Sequence, residues 1–320
     1  MSISLFAPAT KPPSSRSGAQ TVFDYLVERA ALEIKRMLQT GRGNMRRFTL
    51  ALACSTVFLI IASRTARGAE LKPETVAAFN LYIQVFEAQM DADIRAGRFL
   101  VVDRLDDTQR QQVYEQLQHG RLYIEQQQML QAGRAIRVPK GLIHHWAGVI
   151  FIPGVTLKQV NSVLRDFDNA PKIFRPEVQQ LTALGQDGEA LKVFVRMYYK
   201  SIVAPTYNVL FDLHRSQVGD NRILTRSYST RIAEVRDAAE PGEHELPVGT
   251  DSGFMWRMYG YWRLEEKDGG VYVGIESMTL SRGIPAVFVP IVRPLTESIP
   301  RKILTDLLTD TRMAVLSASN

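Results

Sequence analysis

The stretch GLIHHWAGVIFIPG, residues 141–154, decides how this chain folds. Branched and aromatic side chains fill it, and Pro153-Gly154 ends it, which reads as one long strand. Adjacent strand residues point to opposite faces, so His144 and His145 cannot hold one ion together. Just downstream, Thr156 and Gln159 have the spacing of a capping box, and Val160, Val163, Leu164 and Phe167 recur as one helical stripe. NAPKIF, residues 169–174, reads as a turn or short second helix.

Beyond it the chain becomes a run of strands divided by turn chemistry. VQQLTALG, LKVFVRMYYKS, PTYNVLFDLHRSQ and RILTRSYSTRIAEV are separated by QDGE, a short Pro-bearing link and VGDN. A polar stretch from Asp237 to Thr250 reads as a surface loop. DSGFMWRMYGYWRLEE and GVYVGIESMTLSRG then form two long strands joined at Lys267-Asp268-Gly269-Gly270. A helix is expected from near Pro300 through Ile303, Leu307 and Val315. Strands linked by tight turns must pair antiparallel, because parallel neighbours need crossovers. With helices gathered at the ends, the fold class is α+β.

Alternation assigns the faces. Leu191, Val193, Val195 and Met197 share one, as do Tyr207, Val209, Phe211 and Leu213. Phe254, Trp256, Met258, Trp262 and Leu264 are assigned to a third, and all three are expected to look inward, toward the last helix.

Upstream, LKPETVAAFNLYIQVFEAQMDADIRAG opens on Pro73 and closes on Gly97. Val76, Phe79, Ile83, Phe86, Met90 and Ile94 lay an apolar stripe along it, so it needs a partner to pack on. A second helix, LDDTQRQQVYEQLQHG, is capped by Asp106 or Asp107, and short strands continue up to about residue 140. Residues 70–140 are therefore a helical preface to a domain at 141–320.

Before residue 70 the chain changes character. Arg46-Arg47 precede sixteen residues without charge, Phe48 to Ser63, and Arg64 comes next. That is the length of a signal-peptide apolar region and short of the roughly 20 residues that span a bilayer comfortably. Residues 45–69 are expected to be a cleaved signal or an uncleaved anchor. Residues 1–44 are then either a disordered and helical leader or an upstream extension of a start at Met45. In both accounts the arginines stay in the cytoplasm and residue 70 onward lies in the periplasm or cell envelope.

Charge excludes one function class. The net +6 resides in the leader: residues 1–69 carry ten Lys or Arg against three acids, leaving the rest of the chain at −1. Nucleic-acid binding needs clustered cations, so no nucleic-acid partner is expected. The single cysteine, Cys54, lies inside the apolar run and rules out a disulfide framework. No histidine spacing suits a metal, no phosphate-cradling glycine loop is present, and no metal or cofactor is expected.

The order of strand, helix, DFDNAPKIFRPEV, strand meander and terminal amphipathic helix resembles the START-like superfamily, over about residues 141–318. GLIHHW, STRIAEV and DSGFMWRMYGYWRLEE resemble uncharacterised bacterial secreted proteins of that class. The resemblance implies a helix-grip fold: a curved antiparallel sheet wrapped around a long C-terminal helix, with a cavity between them for an apolar ligand. It implies no mechanism.

Within that frame Met197, Tyr207, Phe211, Trp256, Met258 and Trp262 are the candidate apolar lining. Arg231 and Glu276 are the candidate polar groups, because an unpaired buried charge is costly. Glu276, on the face of Met278, is read as a partner of Arg231 or Arg257, in a surface pair, an internal ion pair or an orienting handle for a ligand. IPAVFVPIVRPL, residues 284–295, is read as a lid, a membrane-touching lip or simple packing under the helix. The expected function is binding or transport of a hydrophobic small molecule, lipid or quinone-like, in an internal cavity outside the cytoplasm. A cyclase or dehydratase using the same cavity and a structural envelope protein with a filled core are the alternatives.

Overall fold

The computed structural model describes residues 70–198, 205–283 and 289–319, with the side chains of the last helix from Ser298 onward. The leader, the apolar run 48–63 and residues 284–288 of the expected lid lie outside the described residues. One compact unit, residues 68–235 and 245–320, carries the sheet and its helices. Residues 236–244 belong to a second unit and form successive turns, with the Glu240 amide donating to Asp237 and that of Glu243 to Glu240.

Helix α1 spans Pro73–Arg95 and starts on proline, whose missing N–H costs nothing in a first turn. A 3-10 turn, Val101–Arg104, leads to α2, Asp107–Gln118, where the Asp106 carboxylate caps the Gln109 amide. Strand β1 is Tyr123–Gln126, and β2 (Leu130–Gln131) and β3 (Arg134–Ala135) make a separate small hairpin. The deciding stretch is β4, Gly141–Pro153. Helices α3 (Leu157–Leu164) and α4 (Ala170–Ile173) come after it, and α3 begins with the expected capping box of Thr156 and Gln159. Then come β5 (Val178–Asp187), β6 (Ala190–Tyr198), β7 (Thr206–Gln217), β8 (Arg222–Arg236), the two-residue β9 (His244–Glu245), β10 (Arg257–Lys267), β11 (Gly270–Arg282) and α5 (Val289–Ser319).

Eight of these strands lie in the order β1-β4-β11-β10-β8-β7-β6-β5, every neighbouring pair antiparallel. The meander β5 to β8 is a direct result of the short turns. Asp268 and Gly269, both at positive φ, close the β10–β11 hairpin in the way a two-residue turn demands. Strand β11 is an interior strand, third from the β1 edge, between β10 and β4.

Both faces of the sheet are used. On one face, α1 and the 3-10 turn bury Phe79, Phe86, Met90, Leu100 and Val102 against Ala147, Val149, Phe151, Tyr261, Tyr272 and Met278. Each such side chain is worth about 1.5–3 kcal/mol. On the other, α5 buries Leu304, Leu308 and Val315 against Trp146, Ile150, Ile152, Val273 and Ile275. A third cluster of Val193, Val195, Tyr207, Val209, Phe211, Ile232 and Met255 lies over the β6–β8 half.

Two boundaries differ from the sequence reading. Helix α5 begins at Val289, not near Pro300, and runs 31 residues through Pro294 and Pro300. A proline deletes one N–H from the ladder but does not stop it where packing by Leu304, Leu308 and Val315 holds the remainder. Strand β10 begins at Arg257, so the assignment of Trp256 to the face of Met258 and Trp262 is corrected. The Trp256 amide bonds Leu280, which is also the register partner of Arg257, and alternation breaks between those two residues. Trp256 therefore packs in the α1-side cluster.

Candidate functional site

Register defines what looks toward α5. Across the sheet, Val193, Phe211, Ser229, Met258, Thr279 and His144 form one row, and Leu191, Leu213, Ser227, Gly260, Ser277 and Trp146 the next. A third runs through Thr225, Trp262, Ile275 and Gly148. The middle of this face is thus built from small and hydroxyl-bearing residues where a filled core would carry Leu or Val.

The consequence is visible along β11. Glu276, Met278 and Leu280, facing α1, are 2%, 0% and 0% exposed, whereas Ser277 and Thr279, facing α5, are only half-buried although the strand is interior. Met258, Trp262, Ser227, Thr225 and His144 on neighbouring strands also keep water-accessible surface. Gly148 marks where the helix touches: a Cβ there would meet Leu308 at 2.8 Å and Leu304 at 3.4 Å, whereas a Cβ at the buried Gly260 would meet the Ser227 hydroxyl at 2.8 Å. The candidate hollow is this incompletely covered band of the helix-side face over β8, β10 and β11, between Trp146 and the α5 leucines on one side and the β6–β7 cluster on the other.

Among the described residues, the polar side chains of the Ser229–His144 and Ser227–Trp146 rows are neutral. Ser227 donates to the Gly260 carbonyl at 2.9 Å, and the Ser229 hydroxyl accepts from the Met258 amide at 2.9 Å. His144 bonds Ser281 at 3.0 Å, and burial pushes its imidazole down to about 4, so it is uncharged at neutral pH. Trp146 Nε1 is shielded from solvent and meets no acceptor among the described residues. Charged residues on this face stand at its ends and are engaged there: Arg215 donates to Asn161, Glu266 accepts the Leu157 amide, and Glu234 accepts the amide and hydroxyl of Ser252.

The candidate residues divide among three places. Met197, Tyr207, Phe211 and Met258 come together in the β6–β8 cluster beside the hollow, and Trp262 packs with the α5 cluster at its other wall. Trp256 is on the opposite face. Arg231 pairs with Glu245, both partly exposed, away from the hollow.

Glu276 keeps the face of Met278, but the pairing with Arg231 or Arg257 is corrected. Arg104 donates to one carboxylate oxygen at 2.9 Å and Arg263 to the other. Arg104 also bonds Asp93 at 2.9 Å, which accepts Arg98 at 2.7 Å, so an ionic chain ties α1 and the 3-10 turn to the sheet. Burial pushes the Glu276 carboxyl up, yet the two guanidiniums outweigh it and hold it below the ordinary range. Beside it, the Tyr82 hydroxyl accepts the Met129 amide and shares a hydrogen bond with His145 Nδ1 at 2.9 Å. Burial pushes His145 down to about 4, with Glu276 opposing and Arg104 and Arg263 assisting.

Sequence reasoning missed Gly260, Ser227, Ser277, Thr279 and Trp146. The available signal was the alternation itself: GVYVGIESMTLSRG puts Ser and Thr at every second position after Ile275, and a glycine interrupts the aromatic run of β10.

No family model and no curated protein matches the chain. Solved structures similar to it include human STARD10, with 11% identity over 66% of this chain and 80% of that one, TM-score 0.40. An aromatase/cyclase, Zhui, from a Streptomyces species shows 13% identity over 56% and 97%, TM-score 0.38. A STAR-related lipid transfer protein from Xanthomonas axonopodis shows 16% identity over 58% and 98%, TM-score 0.37. The chain itself has an α+β, helix-grip architecture, in which a C-terminal helix lies against an antiparallel sheet.

Proposed function

We propose that this protein encloses a hydrophobic small molecule between the sheet and α5, and does so outside the cytoplasm. The observation that carries the reading is the half-buried state of Ser277 and Thr279 on β11, an interior strand flanked by β4 and β10. A face filled only by its own side chains would bury those positions as completely as it buries Met278 and Leu280. Tyr207, Phe211, Met197, Met258 and Trp262 supply the apolar walls, and enclosure at about 25 cal/mol per Å² of apolar area supplies the affinity.

Export is supported by the order of Arg46-Arg47, the uncharged run and residue 70. Among the described residues no helix is long and apolar enough to cross a membrane.

Native mass spectrometry of the purified full-length chain tests enclosure. A co-purifying apolar molecule, released on denaturation, is the expected result. A protein whose mass equals its sequence and which takes up no apolar fluorophore would overturn it.

A further inference from the structure

We infer that the β2–β3 hairpin, with the neighbouring face of α1, docks on an anionic lipid surface: Leu130 and the turn at Ala132-Gly133 enter the headgroup layer, and Arg134 and Arg137 pair with lipid phosphates. This goes beyond enclosure and stands whether or not the protein holds a ligand.

The hairpin presents apolar side chains to solvent on an element that belongs to no larger sheet. Leu130 pairs with Ala135 across it, so the two share one face, and Leu130 is 53% exposed. Ala132 closes the turn at φ 48°, a left-handed conformation for which an exposed two-residue turn favours Asn, Asp or Gly. The tip thus carries a methyl group where a turn made for water carries a polar side chain. An open groove of about 750 Å³ separates the hairpin from Leu81 of α1, itself 36% exposed. Isolated two-stranded hairpins are marginal in water. This one is held at its base, where Met129 and Ile136 pack toward the α1-side cluster and the Met129 amide donates to Tyr82 at 3.1 Å, so the tip is displayed from a fixed platform.

The charge around the tip has one sign. No acid occurs in the sequence between Glu125 and Asp166, and Arg134 and Arg137 are exposed with no carboxylate partner among the described residues. The acids of the flanking segments are already bonded: Glu74 to Lys140, Glu125 to Tyr123 and Gln127, Glu87 to Tyr228 and Tyr261. Between Glu74 and Glu87 the exposed positions of α1 are Ala77, Asn80, Leu81 and Gln84, none of them charged. Guanidinium groups bind phosphate as a fork, so an apolar tip beside two unopposed arginines matches a phospholipid surface in both its parts. An acidic peptide would satisfy the arginines and leave Leu130, Ala132 and Ala135 without a role.

The covalent path of the chain favours the same occupant. The Thr75 hydroxyl donates to the Pro139 carbonyl at 2.8 Å and Lys140 pairs with Glu74, so the hairpin segment lies along the N-terminal turns of α1. Nine residues, 64–72, separate the uncharged run 48–63 from Pro73, and fully extended they reach about 30 Å. An uncleaved run would therefore bring the end of α1 that carries the hairpin to the bilayer. One leucine and two arginines are a weak contact for a free protein, and a second attachment is what makes such a contact effective.

The full-length chain reconstituted in vesicles tests the proposal. A nitrobenzoxadiazole label is placed on Leu130→Cys in a Cys54→Ala background, and the vesicles, phosphatidylcholine alone or mixed with phosphatidylglycerol, carry a nitroxide-labelled lipid as quencher. The label should shift to the blue and be quenched in the anionic vesicles and remain aqueous in the neutral ones. The same label on Met313→Cys, a 54% exposed position of α5, should remain aqueous in both. Replacing Arg134 and Arg137 together by Gln, both at exposed positions that the fold does not use, should lower the ratio of docked to free label about twenty-five-fold, about fivefold for each arginine, and high salt should act in the same direction. A label at residue 130 that stays aqueous, equal quenching at residues 130 and 313, or quenching indifferent to lipid charge would overturn the proposal. A label that ignores the vesicles and responds only to added poly-glutamate would assign the surface to an acidic protein and overturn it as well. None of these outcomes bears on enclosure.

Discussion

The two faces of the interior strand β11 use opposite physical strategies. On the α1 side, Glu276, Met278 and Leu280 are sealed, and the charges at the strand's centre are fixed in a chain running Arg98, Asp93, Arg104, Glu276, Arg263. On the α5 side, Ser277 and Thr279 keep accessible surface and, among the described residues, nothing ionic is near the centre. The first face is specified by interactions that would be expensive to break. The second is specified by side-chain volume withheld. A protein that needed only stability would have packed both alike, so the difference separates the part of the sheet that holds the fold from the part available to a guest.

Neighbouring residues on β11 make the sharpest test. Glu276→Ala strands Arg263, itself 3% exposed, without its counter-ion, and one partner removed from a buried pair costs about 3–5 kcal/mol. Ser277→Ala, one position along, removes a half-buried hydroxyl and should cost less than about 1 kcal/mol. Urea unfolding of the two variants is the measurement. Equal losses would mean that the α5-side face is as closely specified as the other, and the contrast between them would be gone.

Acid should undo the α1-side face in a definite window. His145 titrates near 6.5 when unfolded and about 4 in the fold, so between those values the unfolded chain binds the extra proton. Stability is therefore fully present above about pH 6.5 and falls as pH drops toward 4, by up to about 1.4 kcal/mol per unit for this one group. Glu276, held below its ordinary value, extends the loss to lower pH, because its contribution disappears as pH falls through its folded value. His145→Gln should flatten the slope between pH 6.5 and 4 in denaturant titrations. An unchanged slope would show that His145 is not the group responsible.

Filling the hollow is expected to separate stability from binding. In a packed core, extra methylenes cost about 1–3 kcal/mol. Ser277→Leu places them at a position that is only half-buried, so its unfolding free energy should change by less than about 1 kcal/mol while uptake of an apolar fluorophore drops by tenfold or more. A large destabilisation would show that the space is already filled.

The same contrast explains what was legible in the sequence. Strand order, antiparallel pairing, the Thr156 capping box and the inward apolar rows come from period-two alternation and turn chemistry, which are local. So does the separation of His144 and His145: one bonds Ser281 on the α5 side and the other Tyr82 on the α1 side. The partners of Glu276 were not legible, because Arg104 is 172 residues away in chain order and belongs to the preface. A cue existed in β10, where Tyr261, Arg263 and Glu265 alternate with Trp262 and Leu264, large side chains on both faces. A strand covered on both faces needs a second layer, and the apolar stripe of α1 was the element lacking a partner. Trp256 was misassigned because periodicity was extended across a strand start that only the pairing with Leu280 reveals.

The smallest effect belongs to Arg231, one of the two candidate polar groups read from the sequence. Arg231 lies beyond the irregularity at Leu210 and Phe211, where one extra residue of β8, Thr230, falls between the partners of successive β7 residues. From there its guanidinium turns to Glu245, and the two side chains are 39% and 35% exposed. Exposed pairs of this kind contribute little, because solvent screens them and two long side chains must be ordered to form them. Arg231→Ala should therefore shift the urea midpoint by the equivalent of less than about 1 kcal/mol and leave uptake of an apolar fluorophore unchanged. If it instead abolished binding, the hollow would have to extend to the β8–β9 side of the sheet, and the assignment of the α5-side rows as the whole of the site would fail.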